Sequence, residues 1–216
     1  MDALLLVDLQ NDFMPGGALP VREGNAVVPV ANLLSKGFEL VVATQDWHPA
    51  NHASFAVNHL GKKPGDRIVL DGLDQVLWPV HCVEQTRGAA LVDSLDQSRI
   101  VRVFQKGTDP RIDSYSGFFD NGHRRSTGLG DFLKQAGVDR VFVLGVATDY
   151  CVKFTALDAR QLGFDTYLVA DACRGVELRL GDASRAIDEM TRAGVRVVQS
   201  ANIIRAGCQS PGEGAG

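Results

Sequence analysis

Cysteine is scarce in this sequence and forms no paired motif. The 216 residues carry four, Cys82, Cys151, Cys173 and Cys208, and no two stand in a CxxC arrangement. No export signal precedes them, so the expected state is free thiol in a reducing cytoplasm. Basic charge is not in excess either. Twenty-two Lys and Arg face 26 Asp and Glu, a net charge of −4, which argues against a nucleic-acid partner. Long hydrophobic runs are missing. The longest, Val141 to Ala147, is far short of the ~18 residues of a spanning helix, and the apolar start Ala3 to Val7 stops at Asp8, too short for a signal peptide. There is no GxSxG elbow and no HExxH, and Gly128-Leu129-Gly130 lacks the third glycine of a dinucleotide fingerprint. Membrane, secreted and nucleic-acid classes are thereby disfavoured.

What remains is ordinary globular material, 45% hydrophobic and 22% charged. The length suits one domain, expected over residues 1–207, with 208–216 expected to be a disordered tail because it lacks apolar anchors. Short runs rich in Val, Leu and Ile recur at 3–7, 39–44, 99–104, 140–145, 165–170 and 195–199. Such runs suit strands buried on both faces of a parallel sheet. Helical spacing of apolar residues predicts helices over 25–35, 129–136, 150–162 and 183–193. Gly37, Gly137, Gly163 and Gly194 each follow a helix and precede a strand, the place for a left-handed cap. The fold class is therefore α/β and doubly wound, a three-layer α-β-α sandwich. Residues 48–95, with Pro49, Pro64 and Pro79, fit the alternation worst and read as an irregular insertion.

In an open parallel sheet, ligands sit beyond the carboxyl ends of the strands. The residues expected there are Asp8, then Gln45 to His48, then Gln105 and Lys106, then Ala147 to Cys151, then Asp171 and Cys173. Cys151, at the expected start of a helix, is either a packed core thiol or a nucleophile whose thiolate the helix end favours. Lys106 either reaches to water or stabilises a neighbouring anion. Asp8, after four apolar residues, is either a cap or a general base. Asp12 reads as a loop-organising residue. Asp46-Trp47-His48 places two donors on one side of an extended segment, and His81 could complete a carboxylate and two-imidazole set suited to Zn, Mn or Fe. Unconnected loop histidines are the other reading. His52 is a further candidate ligand.

Five motifs taken together carry a resemblance. Leu6-Val7-Asp8-Leu9-Gln10-Asn11-Asp12-Phe13, Thr44 to Pro49, Leu77 to Cys82, Phe104-Gln105-Lys106-Gly107 and Gly145 to Val152 follow one another as in the nicotinamidases and pyrazinamidases, which are isochorismatase-like cysteine hydrolases. Asp113 to Phe118 is also similar, and the match spans about residues 3 to 205. The resemblance implies a six-stranded sheet and a catalytic triad of Asp8, Lys106 and Cys151. It implies an oxyanion hole from the Ala147 and Cys151 N–H groups, shaped by a cis Val146–Ala147 peptide. Phe13, Trp78 and Tyr115 would flank the substrate ring. Asp46, His48 and His81 would hold one divalent transition metal, Zn, Fe or Mn, with His52 a variable position. The implied substrate is the small molecule nicotinamide, in NAD salvage, with pyrazinamide as an alternative amide. No nucleic-acid or membrane partner is expected, and the chain is a monomer or homo-oligomer. Tyr150 departs from relatives that carry His before the nucleophile. The runner-up is a metal-free amidohydrolase of the same superfamily acting on a carbamoyl or aliphatic amide.

Overall fold

The computed structural model describes residues 1–207. The expected tail and Cys208 lie outside the described residues. Strands β1 (Asp2–Val7), β2 (Leu40–Asp46), β5 (Ile100–Lys106), β6 (Arg140–Val146), β7 (Asp165–Arg174) and β8 (Arg196–Val198) form a six-stranded sheet in the order β5-β2-β1-β6-β7-β8. Every neighbouring pair is parallel. Ala3 to Val7 and all of β2 are buried, as continuous apolar runs require. Strand β5 lies at the edge, and its Val101, Arg102 and Val103 are exposed.

Helices α1 (Val27–Ser35), α2 (Leu129–Gln135), α3 (Lys153–Gln161), α4 (Asp182–Arg192) and α5 (Ser200–Gly207) complete the fold. α1 packs on β6, β7 and α5, while α3 packs on β6, β7 and α4. The chain starts in the middle of the sheet, builds outward to β5, then crosses back to β6 beside β1. That reversal opens a crevice at the carboxyl ends of β1 and β6.

Four elements differ from the sequence expectation, the first being α5, for which no helix was expected. The 48–95 insertion holds an antiparallel hairpin, β3 (Arg67–Leu70) and β4 (Leu73–Val76), turned at Asp71-Gly72 with both residues at positive φ. A two-residue Asp-Gly link between apolar stretches is a hairpin signal in its own right. Strand β7 runs on to Arg174, so Asp171 and Cys173 lie within a strand rather than beyond one. The helix expected from Tyr150 is preceded by a π-helical turn, Thr148–Val152, which carries Cys151. Such turns recur at functional sites.

Candidate active site

The ends of β1, β5 and β6 bring Asp8, Lys106 and Cys151 together. Lys106 is almost wholly buried, at 1% exposure, so its ammonium must find partners in the protein. Nζ lies 2.9 Å from Asp8 Oδ2 and 2.5 Å from Asp46 Oδ1. It also donates to the Ser114 carbonyl at 2.9 Å and reaches Cys151 Sγ at 3.4 Å. Asp8 Oδ1 accepts the Thr44 hydroxyl at 2.6 Å, so Oδ2 is the oxygen left facing the lysine and the thiol. Thr44 is a residue the sequence reading did not assign. It sits near the end of β2, the strand beside β1, a neighbourhood that needs the sheet order to be known.

Charge and burial oppose one another here. Burial pushes the Asp8 carboxyl above its ordinary value, against the pull of Lys106. Burial pushes the Cys151 thiol well up, again against Lys106. The helix start favours thiolate, and desolvation opposes it and pushes the thiol up. Lys106 goes the other way: burial disfavours its charge, yet Asp46 and Asp8 raise it well above the ordinary lysine value. Asp46 is buried too, but Lys106 and His48 hold its carboxyl well below the usual range.

Asp46, His48 and His81 form the second group. Their donor atoms lie within 4.8 Å of one another. His48 Nε2 is 3.6 Å and His81 Nε2 3.9 Å from Asp46 Oδ2. The opposite nitrogens are held by backbone: His48 Nδ1 bonds the Gly107 carbonyl at 2.9 Å and His81 Nδ1 the Pro79 carbonyl at 2.8 Å. A carbonyl only accepts, so each Nδ1 keeps its hydrogen and Nε2 is the nitrogen turned toward Asp46, where a metal would take it. Burial lowers His81 to about 4, which favours a free Nε2 lone pair there, whereas at His48 the Asp46 carboxylate outweighs burial and raises the imidazole above its ordinary value, so a metal would compete with a proton on that nitrogen. These features fit a divalent metal. Gly107 is required for this contact. It sits at φ +65°, and a Cβ there would meet His48 Cε1 at 2.3 Å. The His52 ring lies tilted beside His48, with centroids 4.5 Å apart and planes at 46°, and groups with His48 and Asp113 rather than with Asp46 and His81.

Two residues of the first motif hold this group in place. Gln10 brackets Asp46: its Oε1 accepts the Asp46 N–H and its Nε2 donates to the Asp46 carbonyl, both at 2.8 Å. Asp12 organises a loop, as expected, by accepting the Cys82 N–H at 2.7 Å. The Cys82 carbonyl in turn accepts the His48 N–H at 3.0 Å. Cys82 itself is buried, and its thiol is raised well above the ordinary range.

Between the two groups lies a small pocket. Phe13, Trp78, Tyr115, Ala147 and Cys151 line it, together with Leu19 and Val176, which the sequence reading did not single out. Trp78 Nε1 and Gln75 Nε2 donate to the Tyr115 hydroxyl at 3.2 and 3.0 Å, fixing that wall. Tyr150 crosses Trp78 edge-on, with centroids 4.8 Å apart. The Val146–Ala147 peptide is cis, as the resemblance implied.

Comparison with known proteins agrees with this geometry. A family model of the isochorismatase domain matches residues 2–202. The chain is 54% identical over 197 residues to a nicotinamidase of Escherichia coli (strain K12), covering 89% of this chain and 92% of that protein. Among solved structures, a nicotinamidase and pyrazinamidase of Acinetobacter baumanii is 46% identical with a TM-score of 0.91, covering 94% of this chain and 97% of that one. A pyrazinamidase of Pyrococcus horikoshii in complex with zinc is 41% identical with a TM-score of 0.75, covering 92% and 98%. A buried Asp-Lys-Cys cluster at the switch point of a six-stranded parallel sheet, and a family match over nearly the whole described chain, place this protein in the isochorismatase family.

Proposed function

We propose that this protein is an amidohydrolase that converts nicotinamide to nicotinate and ammonia, and pyrazinamide to pyrazinoate, in NAD salvage. The observation that carries the reading is the buried Asp8–Lys106–Cys151 cluster facing a small aromatic-walled pocket that Asp46 and His81 also line. The 54% identity to a nicotinamidase supports the substrate.

Asp8 Oδ2 takes the thiol proton, and the Cys151 sulfur attacks the carboxamide carbon. Burial raises the proton affinity of Asp8, which makes it a stronger base than a surface carboxylate, and Lys106, 3.4 Å from the sulfur, stabilises the thiolate that forms. Lys106 stays charged throughout and balances the anion wherever it sits, on Asp8 or on sulfur. The carbonyl electron pair moves to oxygen, where the Ala147 and Cys151 N–H groups receive it. One such donor is worth about 3–4 kcal/mol. The C–N bond then breaks, Asp8 returns its proton to the departing nitrogen, and ammonia leaves a Cys151 thioester. Water, deprotonated by Asp8, hydrolyses the thioester and frees the acid. Phe13, Trp78 and Tyr115 hold the ring.

Asp46, His48 and His81 would hold the metal, with His52 bordering them on the His48 side; the donors suit zinc, iron or manganese. A metal held there would supply a Lewis-acid position able to orient a ring nitrogen of the substrate.

The test is ammonia release from nicotinamide by the purified protein, before and after chelation. Release is expected, with a loss on chelation that added metal restores. Release from an aliphatic amide and none from nicotinamide would move the substrate class. His81→Ala removes one of three donors and is expected to lower bound metal, read by inductively coupled plasma mass spectrometry, about 10-fold or more. Unchanged metal content would take His81 out of the set.

A further inference from the structure

Asp149 is unused by the chemistry above, yet it stands two residues before the nucleophile. Its side chain is 94% buried from solvent, at 6% exposure. Both carboxylate oxygens are spent on one neighbouring segment. Oδ1 accepts the Val176 N–H at 2.9 Å and Oδ2 the Glu177 N–H at 2.8 Å. The segment follows β7 and leads into α4, so Asp149 ties the nucleophile turn to the next crossover.

Glu177 repeats the device one step further on. It is held at φ +56°, a left-handed conformation that turns its side chain back toward α4. Its Oε2 accepts the Gly181 N–H at 2.6 Å and its Oε1 the Ala183 N–H at 3.0 Å, which are free donors at the start of α4. The approach is close enough to demand glycine at 175. A Cβ there would lie 2.9 Å from Ala183 Cβ and 3.2 Å from Asp149 Oδ1.

Val176 immediately precedes Glu177 on this doubly tied segment. Its N–H is fixed by Asp149, the next residue is tied to the start of α4, and Val176 lines the pocket with Ala147 and Cys151. We propose that Asp149 and Glu177 are a paired clamp that sets Val176 as the size-limiting wall of the catalytic pocket, so that the enzyme takes small unsubstituted ring carboxamides and rejects ring-substituted ones. This deepens the proposed function and rests on it for the identity of the substrate. Val176 determines specificity by contact; Asp149 and Glu177 are positioning residues.

Two selectivities test the clamp. The first is kcat/KM for nicotinamide against ring-methylated nicotinamides. Val176→Ala is expected to shift that ratio toward the methylated amides about 10-fold, since a methyl's worth of pocket space discriminates by about 10–200-fold. Asp149→Asn keeps the side-chain shape but turns one acceptor into a donor facing an N–H. It is expected to shift the ratio in the same direction, and the double variant is expected to shift it little further. A purely structural role for Asp149 would lower both substrates equally. The second selectivity is the rate of Cys151 alkylation by iodoacetamide against its bulkier N-benzyl analogue, followed by peptide mass spectrometry. It does not depend on which amide is hydrolysed. Val176→Ala is expected to raise the relative rate of the bulky reagent, and Val176→Phe to lower it.

Alkylation that follows the wall while nicotinamide is not hydrolysed would sink the substrate and keep the clamp. Hydrolysed nicotinamide with both ratios unmoved by Val176→Ala and Val176→Phe would overturn Val176 as the wall. Ratios that move with Val176 but not with Asp149→Asn or Glu177→Gln would overturn the clamp.

Discussion

Cys151→Ala is expected to lower kcat for ammonia release from nicotinamide by about 10⁴-fold or more, the usual scale for removing a covalent nucleophile. Among the described residues, no other group near the thiol can take its place. Cys82 and Cys173 are buried, and burial raises both thiols, Cys173 to about 12. Lys106 is held in its charged form and has no lone pair to offer. The substitution is small and removes no charge, so fold and metal content should be unchanged. Circular dichroism and metal analysis check this on the same preparation. Cys151→Ser tests the thiol more finely. The hydroxyl is a far weaker acid than the thiol, and Asp8 is too weak a base to deprotonate it, so the loss should be nearly as large. A variant retaining more than one part in a hundred of wild-type kcat would remove the thioester from the mechanism.

Much of this site could be read from the chain because the relevant residues end strands. Asp8 follows four apolar residues, and Lys106 closes Phe104-Gln105-Lys106. A polar group at such a place in a parallel sheet faces the crevice whatever its neighbours are. Strand order was readable because the apolar runs are short and bounded by glycine or polar residues, which separates strands such as β1 and β2 from buried helices. What escaped were contacts between elements distant in sequence. Thr44 meets Asp8 because β2 is the strand beside β1, and Val176 reaches the pocket because β7 continues past Ala170 to Arg174. The balance at Cys151 is likewise set by the folded environment: position at a helix start favours the thiolate, and burial, which the sequence does not show, pushes the thiol up. The hairpin at Asp71-Gly72 was legible and was masked by the prolines around it.

Lys106→Met is expected to destabilise the metal-stripped protein by about 3–5 kcal/mol at neutral pH, the scale for removing one partner of a buried ion pair. Methionine fills a similar volume, so packing is not the cause. The cause is that Asp8 and Asp46 share this cation, at 2.9 and 2.5 Å, and both are buried. The pH dependence has a definite sign. In the native protein Asp46 is held below its unfolded value of about 3.9, so its contribution is present above that pH and lost as pH falls through the folded value. Without Lys106, burial is opposed only by the Thr44 hydrogen bond at Asp8 and by His48 and His81 at Asp46, so both carboxyls rise. The folded variant then binds more protons than the unfolded chain, so its stability rises as pH falls. The two stability curves should therefore converge between pH 7 and pH 4, as measured by urea unfolding with chelator present. A gap that stays constant across that window would mean the lysine acts through packing. Activity should fall by about 10³-fold, because an uncompensated Asp8 is protonated before it can take the thiol proton. Adding back metal can restore charge beside Asp46, but it leaves the Asp8–Cys151 pair without its shared cation, so recovery of stability without recovery of kcat would separate the structural role of Lys106 from its catalytic one.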